Sequence, residues 1–324
     1  MSNKVKKWLF IATSFIIMGC IIFAGTMMKL NWDFRKLSTV KYEENNHTID
    51  KEFKNINIDT NTADIKIQPS DDDICRVVFY EEKKVKHTVK VVNDTLKISV
   101  TDQRKWYEHI GISLDNTKIT VYLPKNEYGS VVIKENTGDI KIAKNFVFEN
   151  ISIKASTANT ECYASVTDLL KINLTTGDIK AENITVGKIE LSVSTGDISL
   201  NSINCENEVN VKVSTGRTKL ANVLCNSIIS SGSTGDISLV DVIANKEITI
   251  NRTTGDIQLD RCDAQDLFIE TDTGHVKGSL LSDKVFITQS DTGRISVPKT
   301  VTGGKCEITT DTGDIKIIVI ALIK

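Results

Sequence analysis

Along most of the chain, apolar and polar residues alternate in short segments, and the segments recur at a fixed spacing. Alternation with period two marks a half-buried strand, whereas an amphipathic helix needs spacings of three and four. The recurrence is set by Thr-Gly pairs: Thr137-Gly138, Thr176-Gly177, Thr195-Gly196, Thr215-Gly216, Thr234-Gly235, Thr254-Gly255, Thr273-Gly274, Thr292-Gly293 and Thr312-Gly313. A degenerate Thr157-Ala158-Asn159 fills the vacant place, and the intervals are then 20, 19, 19, 20, 19, 20, 19, 19 and 20 residues. Three residues after each Thr stand Ile140, Ile179, Ile198, Ile237, Ile257, Val276, Ile295 and Ile315, with Thr218 the exception. Five after stand Ile142, Ala181, Leu200, Leu220, Leu239, Leu259, Val297 and Ile317. Eight after come Ile184, Ile203, Val223, Val242, Cys262 and Leu281; six before come Leu170, Ile189, Val209, Ile228, Ile248, Leu267 and Phe286.

Three alternating segments per repeat, separated by corners, predict an all-β protein: a β-solenoid, parallel β-helix-like, with 19–20 residues per coil. Coils stacked at about 4.8 Å would form a prism roughly 45 Å long. One coil cannot bury its own apolar face; the stack can. A propeller blade needs four strands and about 40 residues, twice this repeat. The repeat occupies residues 131–324. Residues 51–130 keep the character with a looser period: Asn61-Thr62-Ala63-Asp64-Ile65-Lys66-Ile67 is a worn copy of the turn, and strand-like runs follow at 75–80, 85–92, 95–100 and 118–123. This stretch is expected to be an irregular β cap, since the first coil would otherwise expose unpaired strand edges. Residues 31–50 are polar and read as a short stalk.

The first thirty residues break the pattern. Lys4, Lys6 and Lys7 precede an uncharged run from Trp8 to Met28, closed by Lys29. Twenty-one helical residues span roughly 30 Å, the thickness of a bilayer core. The lysines before the run place the N-terminus in the cytoplasm and the rest outside, giving a single-pass protein of the cell membrane with an extracellular C-terminal domain. Two alternatives stay open: cleavage near Ala24-Gly25, or acylation of Cys20 in Ile17-Met18-Gly19-Cys20. The uncleaved anchor is favoured because the apolar run is long for a signal peptide and continues through Ile21-Ile22-Phe23. Residues 1–30 hold four lysines and no acids, so the remainder carries 36 basic and 42 acidic residues, a net charge of −6. That balance excludes an electrostatic footprint for nucleic acid.

The full turn reads Ser/Thr-Thr-Gly-Asp-Ile. Thr137, Gly138, Asp139, Thr176, Gly177, Asp178, Thr195, Gly196, Asp197, Thr234, Gly235, Asp236, Thr254, Gly255, Asp256, Thr312, Gly313 and Asp314 are read as structural turn residues. Glycine takes a left-handed backbone at the corner, and Thr and Asp bond to nearby turn amides. A metal column is the rival reading, but calcium wants six to eight oxygens and one Asp per coil supplies too few. No cofactor is implied. In sequence order the column reads Asp178, Asp197, Arg217, Asp236, Asp256, His275, Arg294, Asp314, so carboxylates never run beyond two. Five cysteines, Cys162, Cys205, Cys225, Cys262 and Cys306, fall on core columns and read as small buried hydrophobes. Cys205 and Cys225 would lie on adjacent coils, roughly 5 Å apart and within disulfide reach. A polysaccharide-cleaving solenoid would need carboxylates and aromatic platforms on one face. Past residue 150 the only aromatics are Tyr163, Phe268 and Phe286, and His47, His87, His109 and His275 are scattered. The reading is a protein without catalysis.

The Thr-Gly-Asp-Ile repeats, the strand Lys118-Ile119-Thr120-Val121-Tyr122-Leu123-Pro124 and the preceding anchor resemble the bacterial putative-adhesin family of envelope proteins, a domain of unknown function. The resemblance covers residues 50–324 and implies a membrane-anchored β-solenoid, with no catalytic residues to carry over. The run Ile317-Ile318-Val319-Ile320-Ala321-Leu322-Ile323 departs from it, apolar where a polar cap is expected, and reads as a buried final strand or a contact surface. Two functions follow. One is an extracellular binding scaffold for cell-wall polymer, surface glycan or another envelope protein. The other is an accessory of an envelope-stress or signalling system, docking on a membrane partner through the Trp106–His109 region or the apolar C-terminal end.

Overall fold

The computed structural model describes residues 3–37, 40–106 and 115–320. It is a β-solenoid of about ten turns preceded by one helix, α1 (Asn3–Lys29). Among the described side chains of α1 only Met27 is buried, while Trp8, Phe10, Phe15 and Phe23 are exposed on all sides. A helix apolar all round and unpacked suits lipid rather than a protein core, and α1 is long and apolar enough to cross a membrane.

Each rung in the middle of the ladder has three parallel strands. Residues 179–181 pair with 198–200, 184–186 with 203–205 and 189–193 with 209–213, and the same register repeats along the ladder. Thr137, Thr157, Thr176, Thr195, Thr215, Thr234, Thr254 and Thr273 form one continuous column. The apolar columns close the interior: Ile179, Ala181, Ile184 and Ile189 are all buried, as are their counterparts on neighbouring rungs. At the rung of Thr273 the buried residue opposite Cys262 is Leu280, not Leu281, because the ladder shifts register there.

The corners use three different devices. The first is Thr-Gly-Asp. The second is a single left-handed residue seven after the Thr: Asn183, Ser202, Asn222, Asp241 and Arg261 all have φ between +51° and +57°. Asn and Asp tolerate that region best; Arg261 is held there by its guanidinium on Asp241 (Nε–Oδ1 2.6 Å, Nη2–Oδ2 2.6 Å). The third is an asparagine ladder, in which Asn207, Asn226 and Asn245 donate side-chain N–H groups to the O of Gly187, the O of Glu206 and Oδ1 of Asn226.

Rung order departs from chain order at both ends. Asn55–Asp59 and Asp64–Pro69 form a rung that lies between Thr95–Asp102 with Lys118–Leu123 on one side and Glu127–Thr137 with Ile140–Ile142 on the other. The ladder therefore reaches back to residue 55. Antiparallel strands close this near end: Cys75–Glu82 beside Lys118–Leu123, Tyr42–Ile49 beside Cys75–Glu82, and Val85–Val92 beside Thr95–Asp102. Much of the polar segment read as a stalk thus forms the edge strand Tyr42–Ile49. At the far end, Gly304–Thr312 and Ile315–Val319 insert between the rung of Thr273 and that of Thr292. The chain makes its terminal rung first and fills the gap last. Ile315 and Ile317 are consequently inner residues, whereas Ile295 on the terminal rung is 44% exposed.

One core column contains an arginine. Arg252 is 3% exposed, stacked over Gly232, whose missing side chain makes its room: a Cβ there would lie 2.0 Å from Nη1. Nη1 donates to the O of Val213 (2.7 Å) and Nη2 to Oγ1 of Thr218 (3.2 Å), while Nε and the neighbouring Ser230 Oγ find no partner among the described residues. The exceptional Thr218 is thereby explained as an acceptor for Arg252. Burial holds the guanidinium below its ordinary pKa. Buried charges without a carboxylate are costly, and apolar replacement of such groups is often neutral or stabilising. Thr218→Val with Arg252→Met together should unfold within about 1 kcal/mol of the parent or above it, while Arg252→Ala alone should cost about 2–4 kcal/mol. Urea titration of the three proteins checks this.

Candidate functional site

The Thr-Gly-Asp corners are brought into one file. In rung order the position after glycine reads Asp64, Asp139, Asn159, Asp178, Asp197, Arg217, Asp236, Asp256, His275, Asp314, Arg294, where Ala63 and Ala158 stand in for glycine. The far-end insertion places Asp314 between His275 and Arg294, which the order of the sequence does not. Each acceptor in the file receives the backbone N–H of the next rung. Oδ1 of Asp64 accepts from Asp139, Oδ1 of Asp139 from Asn159, and Oδ1 of Asp178 from Asp197 (2.8 Å). Oδ1 of Asp197 accepts from Arg217 (2.7 Å), Oδ1 of Asp236 from Asp256 (2.9 Å), Oδ1 of Asp256 from His275 (2.8 Å) and Nδ1 of His275 from Asp314 (2.9 Å). The aspartates thus bond between rungs, where the sequence suggests bonds within a turn.

Two carboxylates at most stand together before Asn, Arg or His interrupts. Burial works against the charge of Asp197, but Arg217 outweighs it through side-chain and backbone bonds and holds the pKa below the ordinary value. The N–H of Arg294 chiefly, then its guanidinium, does the same for Asp314. With Oδ1 of each aspartate committed to an amide of the next rung, the file is a spine along the prism. Among the described residues no group of three or more His, Cys, Asp or Glu could hold a metal ion.

Sequence reasoning missed one constellation. Thr60 Oγ1 lies 3.0 Å from His87 Nε2, and His87 Nδ1 lies 2.8 Å from Glu81 Oε2. Glu81 also accepts from Asn45 (2.7 Å) and from the N–H of His87 (2.7 Å). Residues 27 positions apart meet because the near-end strands fold back over the ladder, so no spacing announces them. The order of groups is that of a nucleophile, base and orienting acid. Thr60, His87 and Glu81 are 3%, 6% and 1% exposed, and Phe79 stacks on the imidazole at 5.3 Å. Burial, opposed by Glu81, lowers the His87 pKa. A substrate carbonyl has no approach to Oγ1, and the relay stitches the near-end strands to the ladder.

The near end also carries a cleft of about 860 Å³. Ile74, Phe53 and Tyr128 contribute its apolar part, with Phe53 and Tyr128 stacked at 6.1 Å and Phe148 5.8 Å beyond. Asp50, Glu52, Asp73, Asp94, Glu127 and Glu149 line it against Lys51 and Lys54. Along the prism, outward residues form rows of half-buried ion pairs such as Lys171–Glu190 (2.9 Å) and Lys188–Glu190 (3.1 Å). The six cysteines after residue 30, including Cys205 and Cys225, are buried and free. Burial pushes the thiols of Cys162 and Cys262 up to about 11 and those of Cys75, Cys225 and Cys306 to about 12. Of the docking regions suggested by the sequence, Trp106 is 80% exposed, and residues 107–109 and 321–323 lie outside the described residues.

Together these features define a stacked, parallel β-solenoid with a spine of inter-rung carboxylates. The chain belongs to the Toastrack DUF4097 family, whose model matches residues 53–208 and again 206–321. No curated protein matches it. A solved structure of a putative adhesin from Parabacteroides distasonis is 12% identical, covering 86% of this chain and 98% of that one with a TM-score of 0.50. A putative adhesin from Parabacteroides merdae is also 12% identical, covering 86% and 96% with a TM-score of 0.48. A putative lipid binding protein from Parabacteroides distasonis is 16% identical, covering 87% and 98% with a TM-score of 0.47. The first of these shares the fold.

Proposed function

We propose that the chain is a membrane-anchored extracellular scaffold without catalysis, binding cell-envelope polymer along the lateral faces of its ladder. The observation that carries the reading is the contrast between inside and outside. Every reactive pattern in the described residues is sealed or committed, while the lateral faces present regular rows of Lys, Glu, Ser and Asn at rung spacing. A polymer with its own repeat can engage several rungs at once, and many weak contacts add through multivalency. The putative-adhesin description of the Parabacteroides distasonis structure that shares the fold agrees with it. α1 supplies the anchor, and the net negative charge after residue 30 favours neutral or cationic polymer over nucleic acid.

A second reading draws on the near-end cleft, whose apolar floor and acidic rim suit a basic segment of a membrane partner. Purified full-length protein in detergent, offered isolated wall material and solubilised membrane proteins separately, separates the two. Saturable retention on wall material that survives moderate salt is expected. Retention only by one membrane protein would replace the scaffold with a docking arm.

A further inference from the structure

The two ends of the ladder treat their open edges differently. At the near end the outer strands carry charges: Glu43 and Glu44 on Tyr42–Ile49, and Lys86 and Lys90 on Val85–Val92. Such residues blunt an edge against pairing with another chain. At the far end, among the described residues, the terminal strand Lys284–Thr292 pairs on one side only, with Gly304–Thr312. Between Lys284 and Asp291 it reads Val-Phe-Ile-Thr-Gln-Ser, without a charge or a proline. Lys284 is itself withdrawn, buried against Asp263 at 2.8 Å. Ile295 is 44% exposed, and Phe286 and Val297 are only partly covered, so the interior of the prism opens at this end, while Ile287, 50% exposed, faces outward on the edge strand. Among the described residues no strand pairs with its outer edge, and Thr300 Oγ1 bonds the O of Lys284 at its start.

We infer that this end pairs with the same end of a second copy, joining two ladders tip to tip. The inference rests on the anchored, outward-facing scaffold proposed above and names its partner. A strand edge is covered by a strand. Head-to-tail growth is closed off by the charged near-end strands, leaving like ends to meet about a two-fold axis. An axis normal to the terminal strand pairs it antiparallel with its copy and keeps inward side chains inward, so Phe286 and Val297 close one continuous core. Charge presents no obstacle: on this rung Asp291 stands with Lys299 and with Arg294, the latter already 3.2 Å from Asp314. A rung of this size offers an end face on the order of 500 Å² per copy, about 1,000 Å² in all, the size of a transient interface. One such contact is weak, and many between two facing membranes hold. The anchors then lie at opposite ends of the joined pair, which makes the contact one between surfaces.

The test is sedimentation of the full chain in detergent, together with clustering of phosphatidylcholine vesicles carrying it. A reversible dimer and clustered vesicles are expected. Ile287→Lys, an exposed gatekeeper that leaves the interior untouched, should weaken both at least tenfold with an unchanged unfolding midpoint. Lys90→Ala at the near end should change neither. A monomer throughout, or a dimer indifferent to Ile287→Lys, overturns the inference. Retention on wall material is measured on the same samples: wall binding without dimers sinks only the self-pairing, and dimers without wall binding sink only the polymer reading.

Discussion

Gly235→Ala should destabilise the ladder by about 3–5 kcal/mol, well above the average for a point substitution. Gly235 has φ +127°, and a Cβ there would sit 2.0 Å from the carbonyl oxygen of Gly216 on the preceding rung and 2.6 Å from its carbon. Both atoms are backbone, so no rotamer relieves the overlap. The rungs would have to part, breaking the N–H of Gly216 from the O of Thr234 or the neighbouring bonds in the same corner. In a solenoid, stability is a sum of rungs and nearest-neighbour interfaces, so an interface lost in the middle uncouples the two halves. Ala158→Gly is the matched control. Ala158 occupies the same file without a left-handed backbone, and its substitution should cost no more than about 1 kcal/mol. Equilibrium denaturation followed by circular dichroism compares them. Equal, small losses in both would show that the corner tolerates a side chain and that close stacking there is not what demands glycine.

The parts of this fold that repeat were legible, because nine recurrences average out local noise. Ile179, Leu200, Ile228 and Leu239 sit in the interior as their columns require. What repetition cannot show is where the chain steps out of line. Nothing in the repeat spacing says that Gly304–Thr312 pairs with Asp266–Thr273 rather than stacking beyond Lys284–Thr292; in register its inward residues Cys306, Ile308 and Thr310 stand beside Phe286, Thr288 and Ser290, so only Ile308 against Thr288 favours the inner place. The same inversion at the near end hides the rung of residues 55–69 behind the parallel strands Thr95–Asp102 and Lys118–Leu123 and the three antiparallel strands beyond them, and with it the meeting of Thr60, His87 and Glu81. The left-handed corner could have been found: Asn183, Asn222 and Asp241 stand at one position, and those residue types favour positive φ. Arg252 marks the opposite case. Its alternation is intact, its identity breaks the rule, and the compensations, Gly232 and Thr218, lie one and two rungs away.

Glu135 should make stability fall as pH rises, by a margin a single substitution removes. Its carboxyl stands in the core column two residues before Thr137, 5% exposed, where later rungs place Ala155, Leu174 and Val193. Oε1 accepts the N–H of Ala63 at 2.9 Å, and Oε2 has no partner among the described residues. Burial first, then the like charges of Asp64 and Asp139, raise its pKa from 4.5 to about 8, against the lowering effect of the Ala63 amide. In the unfolded chain the group loses its proton near the ordinary value, and in the folded chain only near 8. Between those limits the folded state holds a proton that the unfolded state has released, so each step up in pH favours unfolding. The contribution is complete below the unfolded pKa and gone above the folded one. Glu135→Gln keeps the acceptor for Ala63 and cannot ionise. It should unfold with the parent near pH 4.5 and exceed it by about 2–4 kcal/mol at pH 8.5, the order of magnitude a shift of this size allows. Urea midpoints for both proteins across that range decide it. Parallel curves would mean that Glu135 ionises as freely in the ladder as in the open chain, with water reaching the corner between Ala63 and Gly138.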